Sequence, residues 1–128
     1  MLEITTNATE PMHPEPPMSE ATFETAHLDA MIRGWIVGDF FPTMLATGDV
    51  EVAIQRYSAG DYEAAHHHRI ATEITVILGG EAEMFGKVFK DGDIVKIPPG
   101  STTDFRAITD VTTVVVKHPG AKNDKYLS

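Results

Sequence analysis

From Asp49 to Lys117 the chain alternates short apolar runs with turn residues, and this rhythm restricts its fold more than any other feature. Val50, Val52 and Ile54 alternate with Glu51, Ala53 and Gln55 in a run to Tyr57, the period-two pattern of a half-buried strand. Ser58 to Asp61 forms a turn in which Gly60 is free to take a positive φ. A strand through the histidines, a short loop at Arg69 to Ala71 and a strand from Glu73 to Leu78 follow. Gly79-Gly80 turns into Glu81 to Phe85, and Lys90 to Asp93 turns into Ile94 to Ile97. Thr102 to Ala107 and Val111 to Lys117 complete the series after Pro98-Pro99-Gly100. Short strands at a spacing of roughly 8–12 residues, with Gly, Pro or Asp between them, define a sandwich or barrel.

Upstream, Gly34 to Phe41 reads as a strand stopped by Pro42, with Trp35, Phe40 and Phe41 expected in core or subunit packing. Ala21 to Arg33 has the apolar spacing of a short helix, with Ser19 as its N-cap. Pro11, Pro14, Pro16 and Pro17 disfavour regular structure before it, and His13 there is expected to be solvated. The expected organisation is an arm over 1–33 with a short helix, a β-barrel over 34–118, and a polar tail over 119–128 laid on the surface as a strap. A chain of 128 residues is one domain on size grounds.

Composition excludes several classes. With 19 acidic and 10 basic residues the formal charge is −9, which argues against nucleic acid or an anionic membrane surface as partner. Cysteine is absent, so disulfides, thiolate zinc sites and a thiol nucleophile are out of reach. No apolar run approaches the ~20 residues of a spanning helix, and a cytoplasmic location is the expectation.

Chemistry concentrates between Gly60 and Gly80. His66 and His68 share a face if their segment is a strand, and Glu73 opens the next strand. Two imidazoles and a carboxylate meeting from adjacent strands are ligands for one divalent ion such as Fe, Mn, Zn or Ni. His67, between them, faces away by alternation.

Gly60, His66, His68, Glu73 and Gly80 fill every position of the first motif of the cupin superfamily, which the chain resembles. Gly92, Pro98 and Gly100 fit the second motif, but Thr103 stands where that family's last metal histidine would be, and Ala107 replaces its asparagine. The resemblance implies an all-β, double-stranded β-helix (jelly-roll) barrel with an irregular N-terminal arm. Three accounts of the missing histidine follow. His66, His68 and Glu73 act alone, with water or substrate in the other positions; or Asp104 substitutes through a bulge; or the pocket binds no metal. Thr103, a poor ligand itself, can in any case hydrogen-bond a bound water.

Tyr62, Arg56 and Arg106, with Gln55 and Glu83, are the candidates for contacting substrate, the arginines for a carboxylate or phosphate. Ile77, Val95, Phe105, Val114 and Val116 are expected in the core, and His118 at the barrel edge. The expected function is a small metal-binding cupin acting on a small polar molecule, as a homodimer paired through an edge strand. The alternative is a non-catalytic ligand-binding or sensing module.

Overall fold

The computed structural model describes residues 22–128. The proline-rich segment, His13 and Ser19 lie outside them. Among the described residues there are ten strands: β1 Trp35–Val37, β2 Glu51–Tyr57, β3 Tyr62–His67, β4 Thr72–Gly79, β5 Glu81–Met84, β6 Lys87–Lys90, β7 Ile94–Ile97, β8 Thr103–Ala107, β9 Val111–His118 and β10 Tyr126–Leu127. They form two antiparallel five-stranded sheets, ordered β1-β2-β9-β4-β7 and β10-β3-β8-β5-β6. Consecutive strands repeatedly cross from one sheet to the other, so the sequence alternation packs the two sheets face to face as a double-stranded β-helix.

The turns explain the closure. Gly60 and Gly80 both have positive φ (94° and 89°), which L side chains resist. At Gly80 a Cβ would also collide with the Asp110 carbonyl. Ile77, Ala82, Met84, Val95, Ile97, Phe105, Ala107 and Val111 form the buried core, with Tyr57 and Phe89 packed against it.

Several expectations need correcting. No α-helix forms over the described part of Ala21 to Arg33. Two short 3₁₀ turns, Leu28–Ala30 and Ile32–Gly34, take its place, because Arg33 (φ 51°) and Gly34 (φ 78°) turn the chain left-handed. The first strand is only Trp35–Val37. Strands β6 and β10 add to the expected series: Phe85 and Gly86 make a tight turn at positive φ, and the polar tail returns to pair with β3.

Ile77, Val95 and Phe105 are buried as expected, but Val114 and Val116 are not. The inward residues of β9 are Val111, Thr113 and Val115, and those of β2 are Glu51, Ala53, Gln55 and Tyr57. Polar residues face inward here because that end of the barrel is a cavity, and the aliphatic alternation lies on the outer face.

Candidate metal centre and cavity

The open end of the barrel encloses a cavity of about 520 Å³, with His66, His68 and Glu73 in its wall. The side that His66 faces depends on an irregularity in β3. Glu63 pairs with Phe105 but His66 pairs with Thr103, a register shift of one residue between them. A regular strand would send Glu63 and His66 to opposite faces; with the bulge both line the cavity, as does His68.

Each donor has an orienting partner or an enforced charge state. The His66 Nδ1 lies 3.0 Å from the Ala64 carbonyl oxygen, so the tautomer that donates there leaves Nε2 with a free lone pair. The His66 and His68 rings stand edge to face at 5.4 Å. His68 is only 6% exposed, and its Nε2 is enclosed without a hydrogen-bond partner among the described residues. Burial, followed by the charge of Lys117, pushes the His68 pKa down to about 4, which keeps the imidazole neutral. Its Nδ1 is 3.9 Å from Glu73 Oε1, while the buried Thr75 hydroxyl donates to Glu73 Oε2 at 2.7 Å.

Among the described residues, no three His, Cys, Asp or Glu side chains stand in ready ligating geometry. The donor chemistry nevertheless fits a divalent ion: a neutral buried imidazole with an unpaired nitrogen, a second imidazole with Nδ1 set against a carbonyl, and a hydrogen-bonded carboxylate beside them.

The secondary candidates are already engaged. Thr103 Oγ1 donates to the Asp104 carbonyl at 2.8 Å and accepts from the Phe85 N–H at 2.8 Å. Asp104 alternates with Thr103 and Phe105, and its carboxylate accepts from the exposed Tyr62 hydroxyl at 3.1 Å. That hydrogen bond raises the Tyr62 pKa.

Tyr62, Arg56 and Arg106, expected to touch substrate, face away from the cavity. Tyr62 and Arg106 are register partners on the outer face, and Arg106 pairs with Glu83 at 2.8 Å. Arg56 points out between inward Gln55 and Tyr57, toward Asp29 at 3.5 Å. Of that group only Gln55 lines the cavity. Its Oε1 accepts from the Tyr57 hydroxyl at 2.7 Å, with Glu63 Oε1 at 3.3 Å from the same hydroxyl. Burial and then the charge of Glu63 hold the Tyr57 pKa well above its ordinary value, so the phenol stays protonated.

Sequence reasoning missed Glu51, Tyr57, Glu63, Thr75 and Asp124 in this wall. The first two share the period of buried Ala53, a signal available once the polar face of β2 is read as inward. Burial raises the Glu51 pKa, partly offset by Lys117, whose ammonium sits 4.8 Å from the Trp35 ring centre. Asp124 gave no local signal, being more than fifty residues from the amides it binds. His67 faces away as expected, stacked on Tyr126 with its Nδ1 2.7 Å from Ser128 Oγ.

No protein-family model and no curated protein matches the chain. Solved structures do. An uncharacterized conserved protein with a double-stranded β-helix domain from Klebsiella pneumoniae is 27% identical over 64% of this chain and 76% of its own, with a TM-score of 0.57. The chain is a cupin by fold. DMSP lyase DddQ from Ruegeria pomeroyi superposes on the barrel with a TM-score of 0.62 at 23% identity, covering 73% of this chain and 49% of the lyase. The present cupin therefore spans about half of that enzyme. KdgF from Halomonas sp. gives 0.55 at 18% identity, covering 60% of the cupin and 74% of KdgF. Among the described residues of the cupin, no helix is long and apolar enough to cross a membrane.

Proposed function

We propose that this cupin holds one divalent metal ion through His66, His68 and Glu73 and acts on a small polar molecule admitted to the cavity. The observation that carries the reading is His68: a buried, neutral imidazole with an enclosed nitrogen that has no partner among the described residues, beside a carboxylate. A structure leaves such an atom unpaired only at a cost, and a ligand removes it. Iron, manganese, zinc and nickel all suit two imidazoles and a carboxylate. A bound ion would supply Lewis acidity toward a substrate oxygen. The chain's own residues would orient that substrate: Gln55 and the protonated Tyr57 offer polar groups from β2, and Trp35 offers an aromatic face. That a structural neighbour is a DMSP lyase supports reaction on a small molecule as one use of such a cavity.

Metal analysis tests this on untagged protein, because three consecutive histidines collect nickel from an affinity column. The expected result is one ion per chain, lost in His66→Ala. Metal-free protein whose stability is unchanged on adding iron, manganese, zinc or nickel sinks the reading.

The rival reading, a metal-free module that binds a small ligand, draws on one observation. Thr103 and Asp104 spend their polar groups on Phe85, each other and Tyr62, so neither stands ready as a fourth ligand.

We also propose that two copies associate, through a sheet face more readily than an edge. The outer face of β2-β9-β4-β7 carries Val52, Ile54, Val114, Val116, Ile74 and Val76 in cross-strand register, with Leu78 and Ile94 51% and 68% exposed at its border. Among the described residues these four strands contribute no Asp or Glu to it, and Asp29 stands only at its rim against Arg56, so two chains of charge −9 can meet on its centre without opposing carboxylates.

A further inference from the structure

The C-terminal strap is built into the candidate metal centre. Asp124 is 5% exposed, and its carboxylate accepts hydrogen bonds from three consecutive backbone amides: Arg69 at 2.9 Å, Ile70 at 3.0 Å and Ala71 at 2.9 Å. Those residues are the loop that joins His68 to Glu73. Burial alone would raise the Asp124 pKa, but the amides of Ala71, Arg69 and Ile70 outweigh it and hold the group below its ordinary value.

The rest of the strap grips the histidine strand. Tyr126 and Leu127 are register partners of His67 and His66, and the Ser128 N–H donates to the Ala65 carbonyl at 3.0 Å. The Arg69 guanidinium lies 3.9 Å over the Tyr126 ring, whose stacking on His67 brackets the loop from the other side. The His68 carbonyl accepts from the Gly100 N–H at 2.6 Å. From Ala65 to Ala71, every residue but His68 thus meets the strap, and His68 is tied through its carbonyl.

We propose that Asp124 is a positioning residue that sets the distance between His68 and Glu73 by fixing the Arg69–Ala71 loop. The inference rests on the metal reading above. It follows from donor counting: three adjacent N–H groups need an acceptor with no competing donor, and a carboxylate is acceptor-only. Asparagine keeps the shape but turns an NH₂ toward an amide that needs an acceptor. The loop then loses at least one bond, and the carboxylate and imidazole it spaces lose their common geometry.

The test is zinc affinity of the untagged full chain, by competition with a chelator, for wild type, Asp124→Asn and Val111→Ala. Val111 is a core residue in β9, outside the cavity wall, so its variant lowers the unfolding temperature without touching the loop. Asp124→Asn is expected to weaken zinc binding at least ten-fold, the size seen when outer-shell partners are removed. It should also speed hydrogen exchange at the amides of residues 69–71. Val111→Ala is expected to leave affinity within two-fold. Should Asp124→Asn not fold, Tyr126→Ala loosens the same strap, and unchanged zinc affinity there overturns the proposal. Wild type that binds zinc while Asp124→Asn binds it equally well also overturns it, leaving the metal reading intact. Wild type that binds no zinc, manganese, iron or nickel removes both.

Discussion

Thr103 stands directly opposite His66 across the β3–β8 ladder, at the position where the second cupin motif carries a histidine. Directly opposed residues project to the same face, so Thr103 also lines the cavity. Thr103→His therefore places a third imidazole at the centre without altering the register. We expect divalent-metal affinity to rise at least ten-fold, read by chelator competition. The exposed Phe85 amide exchanges this acceptor for water, which should lower stability by no more than roughly 0.5–1.5 kcal/mol. Unchanged affinity would show that His66 and Thr103 do not share a site.

The metal-free protein should lose stability in mild acid through His68. Its folded pKa of about 4 lies below the ordinary 6.5, so the unfolded chain takes up the proton first. Stability is complete above pH 6.5 and falls as pH drops toward 4, by about 3 kcal/mol when the transition is complete. Asp124 extends the loss to lower pH, because its folded pKa is also depressed and its contribution disappears as pH falls through that value. Urea midpoints across this range should show the slope, and His68→Gln should flatten the part above pH 4.

Thr75→Val keeps the shape of a buried side chain and removes the 2.7 Å hydrogen bond to Glu73. Stability should fall by roughly 1.5–3 kcal/mol, since a hydrogen bond to a carboxylate is lost while the acceptor stays. Metal affinity should drop roughly ten-fold as Glu73 loses its orientation. A stability loss with no change in affinity would make Thr75 a packing residue alone.

Val114→Lys puts a charge at the centre of the apolar outer face, where Val114 pairs with Ile54 on one side and Val76 on the other. Light scattering after gel filtration should find a dimer for wild type and a monomer for the variant, with unchanged circular dichroism. A monomeric wild type, or a dimer indifferent to the substitution, would rule this face out.

The strand series from Asp49 to Lys117 could be read because each strand is bounded by Gly, Pro or Asp, whose backbone preferences are local. That His66 and His68 share a wall with Glu73 could be expected because their spacing is local too. The choice of face could not. Val114 and Val116 look like core and are not, because aliphatic alternation says which residues share a face but not which face points inward.

By itself, then, the sequence determined an all-β chain with turns at Gly60 and Gly80, and set His66, His68 and Glu73 along the chain between them. Only the tertiary structure decided that the polar side of β2 lines a cavity, that a bulge in β3 turns Glu63 and His66 to one wall, and that Asp124 closes the Arg69–Ala71 loop. The physical reason is range. Turn chemistry and side-chain alternation act over a few residues, whereas strand phase, a bulge and a carboxylate shared by three distant amides depend on which strands meet.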